Sequence, residues 1–222
     1  MDYQEKTEKT NIVIPCDFTV PNVRTIFDYV NSNKRCVFVA KGPSARHIEE
    51  YVDFGHIATV NEACLLVPNG IDFAFFYDKD ALENSKPAWG RIKTFVMSAV
   101  LYGETFDDDC VPITEIEGLP LDRVLTFYED QHDWDHEKVK ASMQTDRFIN
   151  TDTATMGLHF LLMNGYKEIL LLGHDGGIGY AEGVCAKDKK REMSRFRDMM
   201  ELVSKEFEKK YNSKIRFFKE NE

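Results

Sequence analysis

The sequence predicts an α/β fold: a Rossmann-like, doubly wound, mostly parallel sheet with helices on both faces and a lid-like insertion. Short apolar runs such as Cys36-Val37-Phe38-Val39-Ala40 and Ile169-Leu170-Leu171-Leu172 lack the alternation of a half-exposed strand and suit strands buried on both faces. Segments with helical spacing separate these runs, which is the chain order of βαβ units. Successive runs also end in polar residues: Lys41/Ser44, Asn61/Glu62 and Asp78/Asp80. In doubly wound sheets, ligands bind beyond the carboxyl ends of the strands.

Met1 to Thr10 is polar and reads as a frayed end. Asn11 to Ile14 reads as an edge strand stopped by Pro15. Val20 to Asn31 has helical spacing at Val23, Ile26, Phe27 and Val30, with Pro21 tolerated near its start. After the strand at Cys36, a Gly42-Pro43 turn leads into a helix over Ala45 to Val52. Ile57 to Val60 is a second strand, followed by a short helix at Ala63 to Val67 and a Pro68-Asn69-Gly70 turn. Ile71 to Tyr77, Ile92 to Val96 and Val124 to Tyr128 read as further strands. Ala154 to Asn164 is an apolar helix stopped by Asn164-Gly165. Lys167 to Leu172 is a central strand, Arg191 to Tyr211 a long amphipathic helix, and Ile215 to Phe218 a last strand. The 222 residues therefore form one domain, with 102–150 as an insertion or lid in which Trp134 is placed to stack on a ligand.

Hydrophobic residues make up 43% of the chain, enough for a sizeable core, and the formal charge of −10 excludes a general polyanion binder. The charge is uneven: Lys187 to Lys219 holds twelve Lys/Arg against six Asp/Glu. A solvated amphipathic helix is the simplest explanation, and a phosphate- or nucleic-acid-facing strip is the alternative. Cysteines 16, 36, 64, 110 and 185 show neither zinc spacing nor a disulfide framework, and a reducing, cytoplasmic setting is expected. No segment has the apolar length of a membrane span. Asp107-Asp108-Asp109 reads as a solvated loop. His132 and His136 lack a third ligand at convincing spacing, so no metal site is expected.

Three stretches carry candidate chemistry. Lys41-Gly42-Pro43-Ser44 is either a βα turn with Ser44 capping the helix, or an anion site built from free N–H groups at a helix start. Thr151-Asp152-Thr153 brings hydroxyl and carboxylate groups to the start of the apolar helix. Gly173-His174-Asp175-Gly176-Gly177 empties from the central strand, with His174 and Asp175 placed for proton or hydroxyl chemistry. A glycine-rich crossover with a capping aspartate is the plainer reading of that last stretch.

Together with the strand ending at Asn61 and with Gly165-Tyr166-Lys167-Glu168-Ile169, these stretches resemble the bacterial sialyltransferases of glycosyltransferase family 42. They also resemble the broader group that includes the 6-hydroxymethylpterin diphosphokinase-like (MptE-like) proteins, whose relatives are frequent in bacteriophage genomes. The similarity spans roughly Cys36 to Tyr180. It implies that Gly42, Pro43 and Ser44 hold a nucleotide phosphate, that Asn61 contacts the nucleotide, and that Thr153-Ala154 lines the donor pocket in place of a Ser-Gly pair. Gly173 and Asp175 match a Gly-x-Asp after the central strand. Two departures stand out: Lys41 replaces an asparagine, and no histidine precedes the last long helix, where Lys187-Asp188-Lys189-Lys190-Arg191 stands.

The expected function is transfer of a sugar from a nucleotide-sugar donor to a hydroxyl on a glycan, or on a modified DNA base if the gene is phage-borne. Lys41, Gly42, Pro43, Ser44, Asn61, Asp78, Thr151, Asp152, Thr153 and Gly173 are the donor-binding candidates. Asp175, His174 and Asp188 are the candidate bases. The alternatives are a magnesium- and ATP-dependent pyrophosphokinase, with Asp78, Asp80 and Asp175 holding the metal, and a non-catalytic nucleotide-binding module. A homo-oligomer remains open.

Overall fold

A computed structural model describes residues 24–25, 35–103, 110–127, 137, 140, 152–176, 179–184 and 194–219. Its strands are β1 (Arg24–Thr25), β2 (Arg35–Val39), β3 (His56–Val60), β4 (Ile71–Asp78), β5 (Ile92–Tyr102), β6 (Val111–Pro112), β7 (Val124–Phe127), β8 (Glu168–Leu172) and β9 (Lys214–Phe217). The sheet runs β1-β7-β5-β4-β3-β2-β8-β9, with β6 attached to β5. Every pairing along that row is parallel, and only β6 is antiparallel. The helices are α1 (Lys79–Asn84), α2 (Thr153–Met163) and α3 (Ser194–Tyr211), with a 3-10 helix over Pro43–Tyr51.

Side-chain alternation in β2 explains both layers. Val37 and Val39 face one core with Ala45, Ile48, Ala74, Phe76 and Leu82, so the Pro43–Tyr51 segment and α1 cover that face. Cys36 and Phe38 face the other core with Phe73, Phe75, Met156, Phe160, Val203 and Phe207, so α2 and α3 cover the opposite face. Burying a large apolar side chain contributes about 1.5–3 kcal/mol, and here both sides of each central strand contribute. Gly157 explains how α2 lies so close: a Cβ there would stand 2.6 Å from Phe38 Cζ and 2.9 Å from Phe75 Cδ2. A glycine inside a helix costs about 1 kcal/mol, and the close helix–sheet contact offsets it.

Several local expectations are corrected. Arg24 and Thr25, expected in a helix over Val20 to Asn31, instead pair as a strand with Leu125 and Thr126. The open edge of β7 offers backbone partners, and edge pairing overrides side-chain periodicity there. β5 runs on to Tyr102, beyond the expected Val96, because it pairs with both Asp78 and Val111. Within the expected insertion at 102–150, β6 and β7 belong to the sheet. The expected strand at Asn11 to Ile14, the aspartate run at 107–109 and Trp134 lie outside the described residues, as do His132, His136, Thr151 and Asp188.

Candidate functional site

Successive strands β2, β3 and β4 step away in one direction, while β8 pairs with the other side of β2. The order therefore reverses between β2 and β8, which opens a crevice beyond their carboxyl ends. Two loops meet there. Ala40 N–H donates to the Leu172 carbonyl and Gly42 N–H to the Gly173 carbonyl, both at 2.8 Å. Neither glycine tolerates a side chain. At Gly42 a Cβ would lie 2.5 Å from both Asp175 Oδ2 and the Gly173 oxygen. Gly173 has a φ of +76°, and a Cβ there would stand 2.2 Å from the Ala40 oxygen.

Ser44 ties the loops together. Its N–H donates to Asp175 Oδ2 at 2.8 Å and its hydroxyl to Asp175 Oδ1 at 2.5 Å, while Gly173 N–H donates to Ser44 Oγ at 2.8 Å. Two expectations change. Ser44 does not cap the following helix: the cap position is Gly42, with no side-chain cap bond. Nor is the turn a bare nest of donors. Gly42 and Ser44 have given their N–H groups to Gly173 and Asp175, Ala45 N–H bonds the Gly42 carbonyl at 3.0 Å, and proline has no N–H. The chain's own carboxylate fills the anion-binding place.

The side chain of Lys41 supplies the cation of this cluster. Its Nζ lies 2.8 Å from Glu62 Oε2 and 5.2 Å from the centroid of the Tyr180 ring. Ala181 N–H donates to the Lys41 carbonyl at 2.8 Å, which holds the 179–184 segment against the loop. Asn84 Nδ2 reaches Glu62 Oε1 at 3.5 Å. Beside this pair, Asn61 adopts a φ of +50°, a left-handed conformation that asparagine tolerates better than most residues. Among the described residues, its buried amide oxygen has no hydrogen-bond partner, nor has Thr59 Oγ1.

His174 and Asp175, adjacent in sequence, have opposite surroundings. The His174 ring tilts against Phe38 at 5.2 Å, and Arg197 Nη1 donates to the His174 carbonyl at 2.9 Å. Burial, reinforced by the positive charge of Arg197, pushes the imidazole pKa down to about 3, so it is neutral at physiological pH. Its Nε2 has no hydrogen-bond partner among the described residues. A base of that strength is poorly matched to deprotonating a sugar hydroxyl. Asp175 is half-buried and hydrogen-bonded to Ser44.

The structure thus joins Lys41, Gly42, Ser44, Gly173 and Asp175, with Asn61 following β3 beside the Lys41–Glu62 pair. Pro43 is exposed, and Asp78 stands at the N-cap of α1. Asp152 caps α2: Oδ1 accepts from Ala154 N–H at 2.7 Å and Thr155 N–H at 2.9 Å, and Oδ2 accepts from Thr155 Oγ1 at 2.8 Å. Thr153 is buried at the start of that helix. Glu62, Tyr180 and Arg197 were absent from the expected site residues. Among the described residues, no group of three or more His, Cys, Asp or Glu is placed to share a metal ion.

No protein-family model matches the chain. No curated protein sequence matches it either. Among solved structures, the fold is similar to the sialyltransferase CST-II in complex with a trisaccharide acceptor and CMP. The TM-score is 0.50 at 14% identity, covering 85% of this chain and 82% of that one. CstII from Campylobacter jejuni with the analogue CMP-3FNeuAc gives 0.48 at 13% identity over 85% and 82% of the two chains. An α-2,3-sialyltransferase of Campylobacter jejuni in apo form gives 0.45 at 14% identity over 87% and 78%. The Rossmann-like architecture is therefore shared with CST-II.

Proposed function

We propose that the chain is a glycosyltransferase that moves a sugar from a nucleotide-sugar donor to a hydroxyl acceptor. The observation that carries this reading is the polar cradle at the switch point, where the Gly42–Ser44 loop is locked to Gly173 and Asp175 beside Lys41. CST-II, which shares the fold, is described with CMP and a trisaccharide acceptor, and this supports the choice of substrate classes. With the loop N–H groups engaged internally, Lys41 meets the donor phosphate and stabilises the leaving nucleotide. Asn61 and Asp78 orient base or ribose, and Thr151, Asp152 and Thr153 border the donor pocket.

Asp175 takes the proton of the acceptor hydroxyl as the acceptor oxygen bonds the anomeric carbon and the bond from that carbon to the phosphate oxygen breaks. His174 is the weaker candidate because its imidazole is buried and poorly basic, and Asp188 is the third.

Thermal-shift titration with CMP-, UDP- and GDP-linked sugars, followed by an assay for released nucleotide, tests the proposal. One donor should raise the melting temperature, and Asp175→Asn should abolish turnover. Binding of none of them, or full turnover in both Asp175→Asn and His174→Ala, rejects it. Magnesium-dependent release of AMP from ATP would point to a pyrophosphokinase instead. For the acceptor, a surface glycan and a modified DNA base separate by salt: only DNA binding falls steeply as salt rises. Among the described residues, no helix is long and apolar enough to cross a membrane.

A further inference from the structure

A nearly buried carboxylate needs a partner in every state of the protein, and Glu62, with 8% of its side chain exposed, has Lys41. Its place in the fold is specific. β2 with its glycine loop, and β3 beside it, stand where the first two strands of a dinucleotide-binding unit stand, with β8 across the switch point. In such units an acidic residue about 20 positions beyond the glycine loop, at the end of the neighbouring strand, accepts the ribose hydroxyl. Glu62 lies 20 residues beyond Gly42, two positions past the end of β3. Two buried oxygens at the same strand end, Asn61 Oδ1 and Thr59 Oγ1, have no partner among the described residues. Unpaired buried polar groups are rare in native proteins and call for a partner.

We propose that Glu62 is the ribose-recognising residue of the nucleotide site, its carboxylate accepting the 2′-hydroxyl while Lys41 turns towards the phosphate. This rests on the nucleotide-binding reading above. The two contacts are coupled. Drawing Lys41 to a phosphate takes the 2.8 Å partner from Glu62 Oε2 and leaves the carboxylate the 3.5 Å contact from Asn84 Nδ2, and a ribose hydroxyl supplies the replacement donor. A 2′-deoxynucleotide cannot, so it binds against a carboxylate that has lost its charged partner.

The test is calorimetric titration of the full chain with CMP, UDP and GDP and with their 2′-deoxy forms. The unsubstituted protein should bind its preferred ribonucleotide at least about tenfold tighter than the deoxy form, the scale of one hydrogen bond to a charged group. In Lys41→Met/Glu62→Leu, which removes both charges together, the ratio should fall to within about twofold, whatever the loss shared by both nucleotides. Glu62→Gln, which keeps the shape and one acceptor, should lower the ratio severalfold and serves if the double variant does not fold. Equal affinities in the unsubstituted protein, or an unchanged ratio in a folded variant, overturn the assignment. Binding of no nucleotide overturns it together with the nucleotide reading. Ribose preference without sugar transfer keeps Glu62 and discards the transferase, and transfer without ribose preference does the reverse.

Discussion

Ser44→Ala tests the strut between the two loops. The substitution removes a hydroxyl that donates to Asp175 Oδ1 at 2.5 Å and accepts from Gly173 N–H at 2.8 Å. A hydrogen bond to a charged group is worth about 1.5–3 kcal/mol, and an orphaned donor costs about 1–3 kcal/mol where water cannot reach it. Ser44 and Asp175 are only half-buried. Partial rehydration therefore brings the net loss to roughly 2 kcal/mol, well below the sum of the two contributions. For a chain of this length that corresponds to a fall in Tm of about 4–8 °C. Urea denaturation of Ser44→Ala, Asp175→Ala and the double variant measures the coupling directly, which should be at least about 1 kcal/mol. A coupling below about 0.5 kcal/mol, or a Ser44→Ala protein as stable as the parent, refutes the strut.

Four other outcomes follow from the same structure. Gly173→Ala should cost more than Ser44→Ala in the same urea assay, since its φ of +76° and the 2.2 Å approach to the Ala40 oxygen leave no room for a methyl group. Asp152→Ala should destabilise by about 1 kcal/mol and Asp152→Asn by less, because asparagine still caps α2; equal losses would contradict the capping geometry. Burial holds His159 and His174 at pKa values of about 3, against about 6.5 in the unfolded chain. Between those values the unfolded state binds more protons, so the urea midpoint should fall as pH drops below 6.5, and His159→Gln should flatten the slope. Cys64, pushed up to about 11 chiefly by burial, and the fully buried Cys36 should resist a thiol reagent in the native protein, whereas exposed Cys110 should react; mass mapping of labelled peptides decides.

What the sequence made legible was whatever local pattern controls. The cores of β2, β3, β4 and β8 are apolar runs because both their faces are buried, and each was readable to within a residue or so. Where the run is long enough to declare a parallel strand, its end is also declared, which is why Lys41, Gly42, Ser44, Asn61 and Asp175 could be named as candidates that meet at the strand ends. Illegible were the choices made across the chain. The sequence shows a serine after a proline turn, but not that its N–H goes to a carboxylate 131 residues away rather than to a ligand. Likewise β1 is two residues drawn onto an open edge from a segment with helical spacing. Glu62 was visible as the end of a strand, and the 20-residue interval from Gly42 was available to be counted.

On the proposed nucleotide reading, the self-filled loop changes how a phosphate is recognised. A bare helix-start nest binds an anion through fixed N–H dipoles and needs no moving part. In this chain the Ser44 N–H goes to Asp175 and the Gly42 N–H to the Gly173 carbonyl, and both bonds fasten the β2 loop to the β8 loop without a ligand. On the proposed nucleotide reading, phosphate recognition then passes to a side chain, Lys41, whose partner in the structure is Glu62. On that reading, a donor that recruits Lys41 takes from Glu62 its charged partner and leaves it the 3.5 Å contact from Asn84 Nδ2, so a replacement donor at the carboxylate lowers the cost of recruitment. The proposed phosphate and ribose contacts thereby share one equilibrium. In urea denaturation, removing Lys41 alone, which takes the ion-pair partner from the nearly buried Glu62, should therefore destabilise the fold more than removing Lys41 and Glu62 together.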